Sequence, residues 1–208
     1  MSWYLDSVYE RNKESPYTFY APSKEVIEML NIGDIVKLIF VETDNDGYVG
    51  ERMWVEINHM QGKNFKGILT NVPLNLKDLK NGQEIIFQTE HICDTEYEDP
   101  TSSEWDYYFN AKIIVSNDVL ERNEFNFMLR DNPKDEQDSG WSVLSGYEDD
   151  EFLNNPDNLQ YISIGEILNI DDSILSFIEA QPLCAYERND EYLFYKIDDY
   201  DWDTYLNE

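Results

Sequence analysis

The chain has 208 residues, 41% hydrophobic and 14% aromatic, which is enough apolar mass for a core in one large or two small domains and excludes a wholly disordered chain. Its formal charge is −29; residues 1–100 hold nine basic and eighteen acidic residues, and residues 101–208 hold six and twenty-six. Such a field excludes nucleic acid as a partner, since phosphate is read by clustered cations, and it favours basic partners, whose association it accelerates; its plain alternative is solubility.

In chain order, residues 1–20 are polar and aromatic without a clear period. Ser23 predicts the N-cap of a helix to Leu30 with Val26, Ile27 and Leu30 on one face, ended by Asn31-Ile32-Gly33-Asp34. Ile35–Glu42 reads as a buried strand and Asp44-Asn45-Asp46-Gly47 as a turn. Arg52–Asn58 has strand alternation, with Met53, Val55 and Ile57 inward and Glu51, Trp54 and Glu56 outward. A turn at 61–64 makes a hairpin with Phe65–Leu69, and Glu84–Gln88 is a further strand that can run on to Ile92. The acidic stretch 96–108, with Pro100-Thr101-Ser102-Ser103, is the linker candidate.

Beyond it, Lys112–Val115 and Phe125–Leu129 read as strands, with a short helix at 116–121 between them. Asp138-Ser139-Gly140 reads as a tight turn into a strand Trp141–Leu144, followed by a helical turn at 148–153. Ser163 and Glu166 fit a capping box, and Asp171 or Asp172 caps a following helix. Segments 182–187 and 192–197 flank Arg188-Asn189-Asp190-Glu191 as a second hairpin. No signal peptide and no bilayer-length apolar run is visible, and Cys93 and Cys184 read as free thiols in a reducing compartment, so the expected location is cytoplasmic, with no membrane partner.

Catalytic and metal signals are weak. The turn at 44–47 has an EF-hand start, but the twelfth position is Met53, so the bidentate glutamate is missing. His91 and Cys93 are two soft ligands where zinc needs about four. Ser139 and Cys184 have only His59 and His91 as imidazole bases, both in the other half of the chain. No metal, cofactor or catalytic residue is assigned.

The densest pattern is Asp138-Ser139-Gly140-Trp141 followed by Ser145-Gly146-Tyr147-Glu148 and Asp149-Asp150-Glu151. A DSGW tetrapeptide followed by SG-x-E resembles the signature of a bacterial immunity-protein family of polymorphic toxin systems, over about 110–200. A second block, Glu51-Arg52-Met53-Trp54-Val55-Glu56 with Phe65-x-Gly67-x-Leu69-x-Asn71-x-Pro73, resembles a small bacterial domain family of unknown function. Neither resemblance supplies a catalytic residue.

Two readings stand for the motif. In one, Asp138, Ser139, Gly140 and Gly146 shape turns, Trp141 plugs the core, and the acids at 148–151 favour a helix N-terminus. In the other, Trp141 with Glu148, Asp149, Asp150 and Glu151 forms a partner-binding surface, and Trp54 lies on a second one.

The expected fold is α+β, two small strand-rich domains, each a twisted and mostly antiparallel sheet with short helices: 1–95, a linker at 96–108, and 109–208. The resemblance implies a non-catalytic immunity protein that binds a cognate toxin, and the charge makes that toxin a basic one. The alternative is a regulatory or housekeeping protein recognising a small ligand or peptide through the N-terminal domain. An uncharacterised hydrolase is a third reading.

Overall fold

Alternating apolar residues build both sheets of this α+β protein, whose computed structural model describes residues 2–43 and 50–206; the turn expected at 44–47 lies outside the described residues. The chain divides into two compact units, 1–105 and 106–208.

In the N-terminal unit, strand β1 (Trp3–Leu5) and helices α1 (Val8–Glu14) and α2 (Lys24–Met29) precede β2 (Ile35–Glu42), β3 (Gly50–Gln61), β4 (Asn64–Leu69), β5 (Glu84–Gln88) and β6 (Ile92–Thr95). All pairings are antiparallel, in the order β1-β2-β3-β4-β5; β6 pairs with the 36–38 end of β2 and β1 with its 40–42 end. Strand periodicity sends Val36, Leu38, Phe40, Met53, Val55, Ile57, Phe65 and Leu69 into one core, where the Phe65 and Phe87 rings stack at 5.3 Å. Gly67 sits opposite Ile57, and a Cβ there would lie 2.5 Å from the Glu56 carbonyl oxygen and from Val55 Cγ1; the position demands glycine because two strands approach too closely for a side chain. The cap predicted at Ser23 is present, accepting from the Val26 N–H at 3.3 Å.

Residues 1–20 give β1 and α1, which periodicity missed because both elements are short. Ser7 caps α1, and Val8 anchors it in a small cluster with Ile39, Val41 and Cys93. The expected run from β5 to Ile92 is broken by a 3-10 turn at Thr89–His91, where the Gln88 N–H donates to His91 Nδ1 at 2.9 Å.

Asp99 fastens the end of this unit. Its carboxylate is 6% exposed and accepts from the Tyr20 hydroxyl (2.6 Å), the Ser23 N–H (2.7 Å), and the Thr101 N–H and hydroxyl (2.9 and 2.8 Å). Burial pushes its pKa up, but these four bonds to the charged form outweigh burial and hold it at about 2. Helix α3 (Ser102–Asn110) begins just beyond and runs across the division between the units, so the stretch expected as a linker holds most of a helix.

The C-terminal unit contains β7 (Lys112–Ser116), α4 (Asn117–Arg122), β8 (Phe127–Arg130), β9 (Asp138–Leu144), α5 (Asp150–Leu153), β10 (Leu159–Ser163), α6 (Ile164–Ile170), β11 (Cys184–Arg188), β12 (Phe194–Lys196) and α7 (Trp202–Tyr205). Strand order is β10-β7-β9-β8-β11-β12, with β7 and β9 parallel and every other pair antiparallel. Ser163 is the N-cap of α6, but its hydroxyl donates to the Glu166 carboxylate at 3.0 Å instead of accepting from the backbone, so the expected capping box is not formed. The helix expected after Asp171 is a 3-10 segment, 172–177. Both cysteines are buried and unpaired; burial pushes the Cys93 thiol up to about 11.

Candidate functional site

The DSGW segment is part of β9, not a tight turn ahead of it. Lys112 of β7 faces Asp138, whereas Ile114 faces Ser142, so β9 carries a bulge across 139–141. Local chemistry makes the bulge. Asp138 Oδ1 accepts the Gly140 N–H at 2.8 Å, and the Ser139 hydroxyl donates to the Lys112 carbonyl at 2.6 Å while accepting the Trp141 N–H at 3.2 Å. Gly140 has φ +75°, and any Cβ there would collide with the Asp131 carbonyl.

The bulge turns Trp141 into the core, where it is 0% exposed; its indole N–H donates to the Ile178 carbonyl at 3.2 Å, and the Arg130 guanidinium lies 5.7 Å from its ring. The reading of Trp141 as a partner contact is thereby corrected: an enclosed side chain presents no area to another molecule.

The second half of the motif is a carboxylate clamp. Glu148 accepts the Ser145 N–H (2.7 Å), the Gly146 N–H (2.8 Å) and the Ser116 hydroxyl, and Gly146 takes φ +87° to bring the chain around. Burial pushes the Glu148 carboxyl up, but these donors outweigh it and lower the pKa overall. Ser145 donates to Asp118 Oδ2 at 2.6 Å, and Asp118 pairs with Arg122, which lies 4.7 Å from the Tyr147 ring. Asp149 caps α5 by accepting the Phe152 N–H at 2.8 Å, which leaves Asp150 and Glu151 exposed.

A glutamate also anchors the upstream block. Glu51 accepts from the Leu74 N–H (2.9 Å), the Leu76 N–H (3.1 Å) and the Asn75 N–H. The outward orientation expected for Glu51 is corrected: two-residue alternation puts it on the face of Met53 and Val55, where it pairs with Phe40 and holds the 74–76 loop from the rim. Trp54 is half-buried on the other face, under the Lys37 ammonium at 4.1 Å; Lys37 pairs with Asp94 at 2.6 Å.

Asp138, Ser139, Gly140, Trp141, Ser145, Gly146 and Glu148 thus hold the local backbone and core, and an open sheet face lies beside them. Register places Tyr161, Ile114, Ser142, Leu129 and Ala185 in one row across one face of the C-terminal sheet. The opposite face carries Ile113, Val115, Trp141, Val143 and Met128, all fully buried. It is roofed in part by the 172–178 segment, where Phe177 packs 4.6 Å from the Tyr186 ring. The first row is buried only at its Leu129–Ala185 end, near Phe127, whose ring lies 6.0 Å from that of Tyr200 in an aromatic cluster with Trp202 and Tyr205.

Toward β10 the row is open: Ile114 and Ser142 are half-buried and Tyr161 is 51% exposed. A crevice of about 30 Å³ between Ile114, Ser142 and Tyr205 is walled by Asp131 and Asp138 together with Lys134. Burial together with Asp138 and Asp135 raises the Tyr161 pKa, and burial together with Asp131 raises that of Tyr205, so both phenols stay protonated as donors. The crevice itself has room for about one water molecule, so what this face offers another molecule is surface contact with the exposed Tyr161 ring and the carboxylates beside it.

Reading of the sequence missed this face because it missed β10. The signal was present in Leu159-Gln160-Tyr161-Ile162-Ser163, five residues ending on the Ser163 cap, with Tyr161 and Ile162 on opposite faces. Among the described residues no group of three or more His, Cys, Asp or Glu is placed to hold a metal, and no helix is long and apolar enough to cross a membrane.

Neither the curated proteins nor the solved structures contain a match to this chain. Residues 113–198, which contain nearly all of the C-terminal sheet, match the immunity protein Imm33 domain. Residues 11–114 match a second family, and through them the chain belongs to DUF2314, described as an uncharacterized protein conserved in bacteria.

Proposed function

We propose that this protein is an immunity protein that binds a cognate bacterial toxin stoichiometrically, without chemistry of its own, and that the toxin docks on the open face around Tyr161. The observation that carries the reading is the Imm33 match over residues 113–198, the half of the chain that also presents the open tyrosine and carboxylate face. The match supports an immunity role in general. The acid excess of the same half favours a basic toxin, drawn in by long-range attraction and held by aromatic anchors. The setting that fits such a partner is the cytoplasm, with neither nucleic acid nor membrane as ligand.

The test is to co-express the chain with the toxin module of a neighbouring gene and to measure binding at low and moderate salt. A one-to-one complex that rescues growth and weakens as salt rises is the expected result. Tyr161→Ala should weaken binding at least tenfold while leaving the melting temperature nearly unchanged. Absence of rescue and of binding at both salts would overturn the reading.

A further inference from the structure

One feature of the N-terminal unit that the immunity reading leaves unused is a groove of about 730 Å³ bounded by α1, α2 and the β3–β4 hairpin. That volume lies within the range of small-molecule sites, roughly 300–1,000 Å³. Its floor is apolar: Leu30 and Phe65 belong to the core, and Ile27 and Met60 are half-buried against it. The hairpin wall is anchored, because the Thr89 N–H donates to the Lys63 carbonyl at 3.1 Å.

The charge at the groove is opposite in sign to the chain as a whole. Acids outnumber bases 44 to 15 overall, yet the groove is lined by Lys24 and Lys63 against Glu28 alone. Glu28 is already engaged by Lys24 at 3.2 Å. Among the described residues Lys63 has no ion-pair partner, so an exposed lysine on a backbone-anchored turn can carry its ammonium to the rim of an apolar slot. Tyr9 adds a phenol that burial, reinforced by Glu90, keeps protonated as a donor.

We propose that this groove binds a small amphipathic carboxylate, its alkyl body over Ile27, Leu30, Met60 and Phe65 and its anionic head at Lys63. The apolar floor accounts for the body, since an alkyl chain gains by leaving water for apolar surface. The flexible thioether of Met60 lets the slot accommodate chains of different shape. The sign of the head follows from Lys63, since in so acidic a protein an anion is tolerated only where a cation offsets the field. The site lies wholly in the N-terminal unit and does not depend on the toxin-binding reading.

The experiment titrates the full chain with decanoate, decanol and decylamine by calorimetry, below their aggregation concentrations. Decanoate should bind saturably at one per chain, at least tenfold tighter than decylamine, with decanol between them. Lys63→Glu should lower decanoate affinity at least tenfold, and Lys63→Arg should retain it. Met60→Trp, which fills the slot, should abolish binding with an unchanged circular dichroism spectrum and melting temperature. No saturable heat with decanoate, equal affinity for decanoate and decylamine, or an unaffected Lys63→Glu variant would each overturn the proposal.

Discussion

Both units place a motif glutamate near the end of an interior strand, Glu51 at the start of β3 and Glu148 just beyond β9, and use it to hold a loop by its backbone N–H groups, but the two clamps are not equivalent. Glu51 reaches across more than twenty residues to the 74–76 loop, and its bonds lie largely in solvent. Glu148 closes a turn three residues away, recruits the Ser116 hydroxyl from β7, and is more deeply set. The same residue type therefore does a long-range, exposed task in one unit and a short-range, partly buried task in the other. The comparison teaches that the two motif glutamates specify loop geometry, while the contact surfaces we propose fall on less conspicuous neighbours such as Tyr161 and Lys63.

Four measurements break or sharpen this comparison. The largest effect is expected from Trp141→Ala, which removes a fully buried indole from the C-terminal unit and should cost about 3–5 kcal/mol by urea unfolding. A loss below 1 kcal/mol would mean that Trp141 is not the core residue it is taken to be.

Next, Asp99→Asn should cost about 2 kcal/mol at neutral pH. Because its folded pKa of about 2 lies below the reference value of 3.8, the contribution of Asp99 is fully present above pH 3.8 and is lost as pH falls toward 2. The stability gap between wild type and variant should therefore close over that window. A gap independent of pH would show that charge at Asp99 contributes nothing.

Third, Glu148→Gln should destabilise more than Glu51→Gln, by roughly 1–2 kcal/mol against less than 1, because an unmet donor is costlier where it is more buried. Equal losses in chemical denaturation would erase the distinction between the clamps. The smallest effect is that of the double variant Asp150→Lys, Glu151→Lys. It should change stability by no more than about 0.5 kcal/mol, since both residues are exposed and make no cap. The same variant should slow toxin association and flatten its salt dependence in stopped-flow measurements.

Much of the fold was legible in the residues. Ile35–Glu42, Phe65–Leu69 and the 184–196 hairpin followed from alternation and turn chemistry, and Ser23 announced its helix. The bulge at Gly140 was not legible, because a glycine with an Asx partner looks the same in a turn as in a strand; only the register against Lys112 and Ile114 separates them. Tyr161 was hidden for a related reason. Its strand is short, and which face it joins is decided by Ile114 on β7, nearly fifty residues earlier. The groove beside Lys63 brings together residues from four separated stretches, which no local pattern announces.

The fastening of Asp99 has a practical consequence for dissecting the chain. A fragment ending at residue 95 keeps all six N-terminal strands but strands the Tyr20 hydroxyl and the Ser23 N–H without their acceptor, and it exposes the start of α2. An N-terminal fragment should therefore extend at least through Thr101, and limited proteolysis should spare the 96–101 segment.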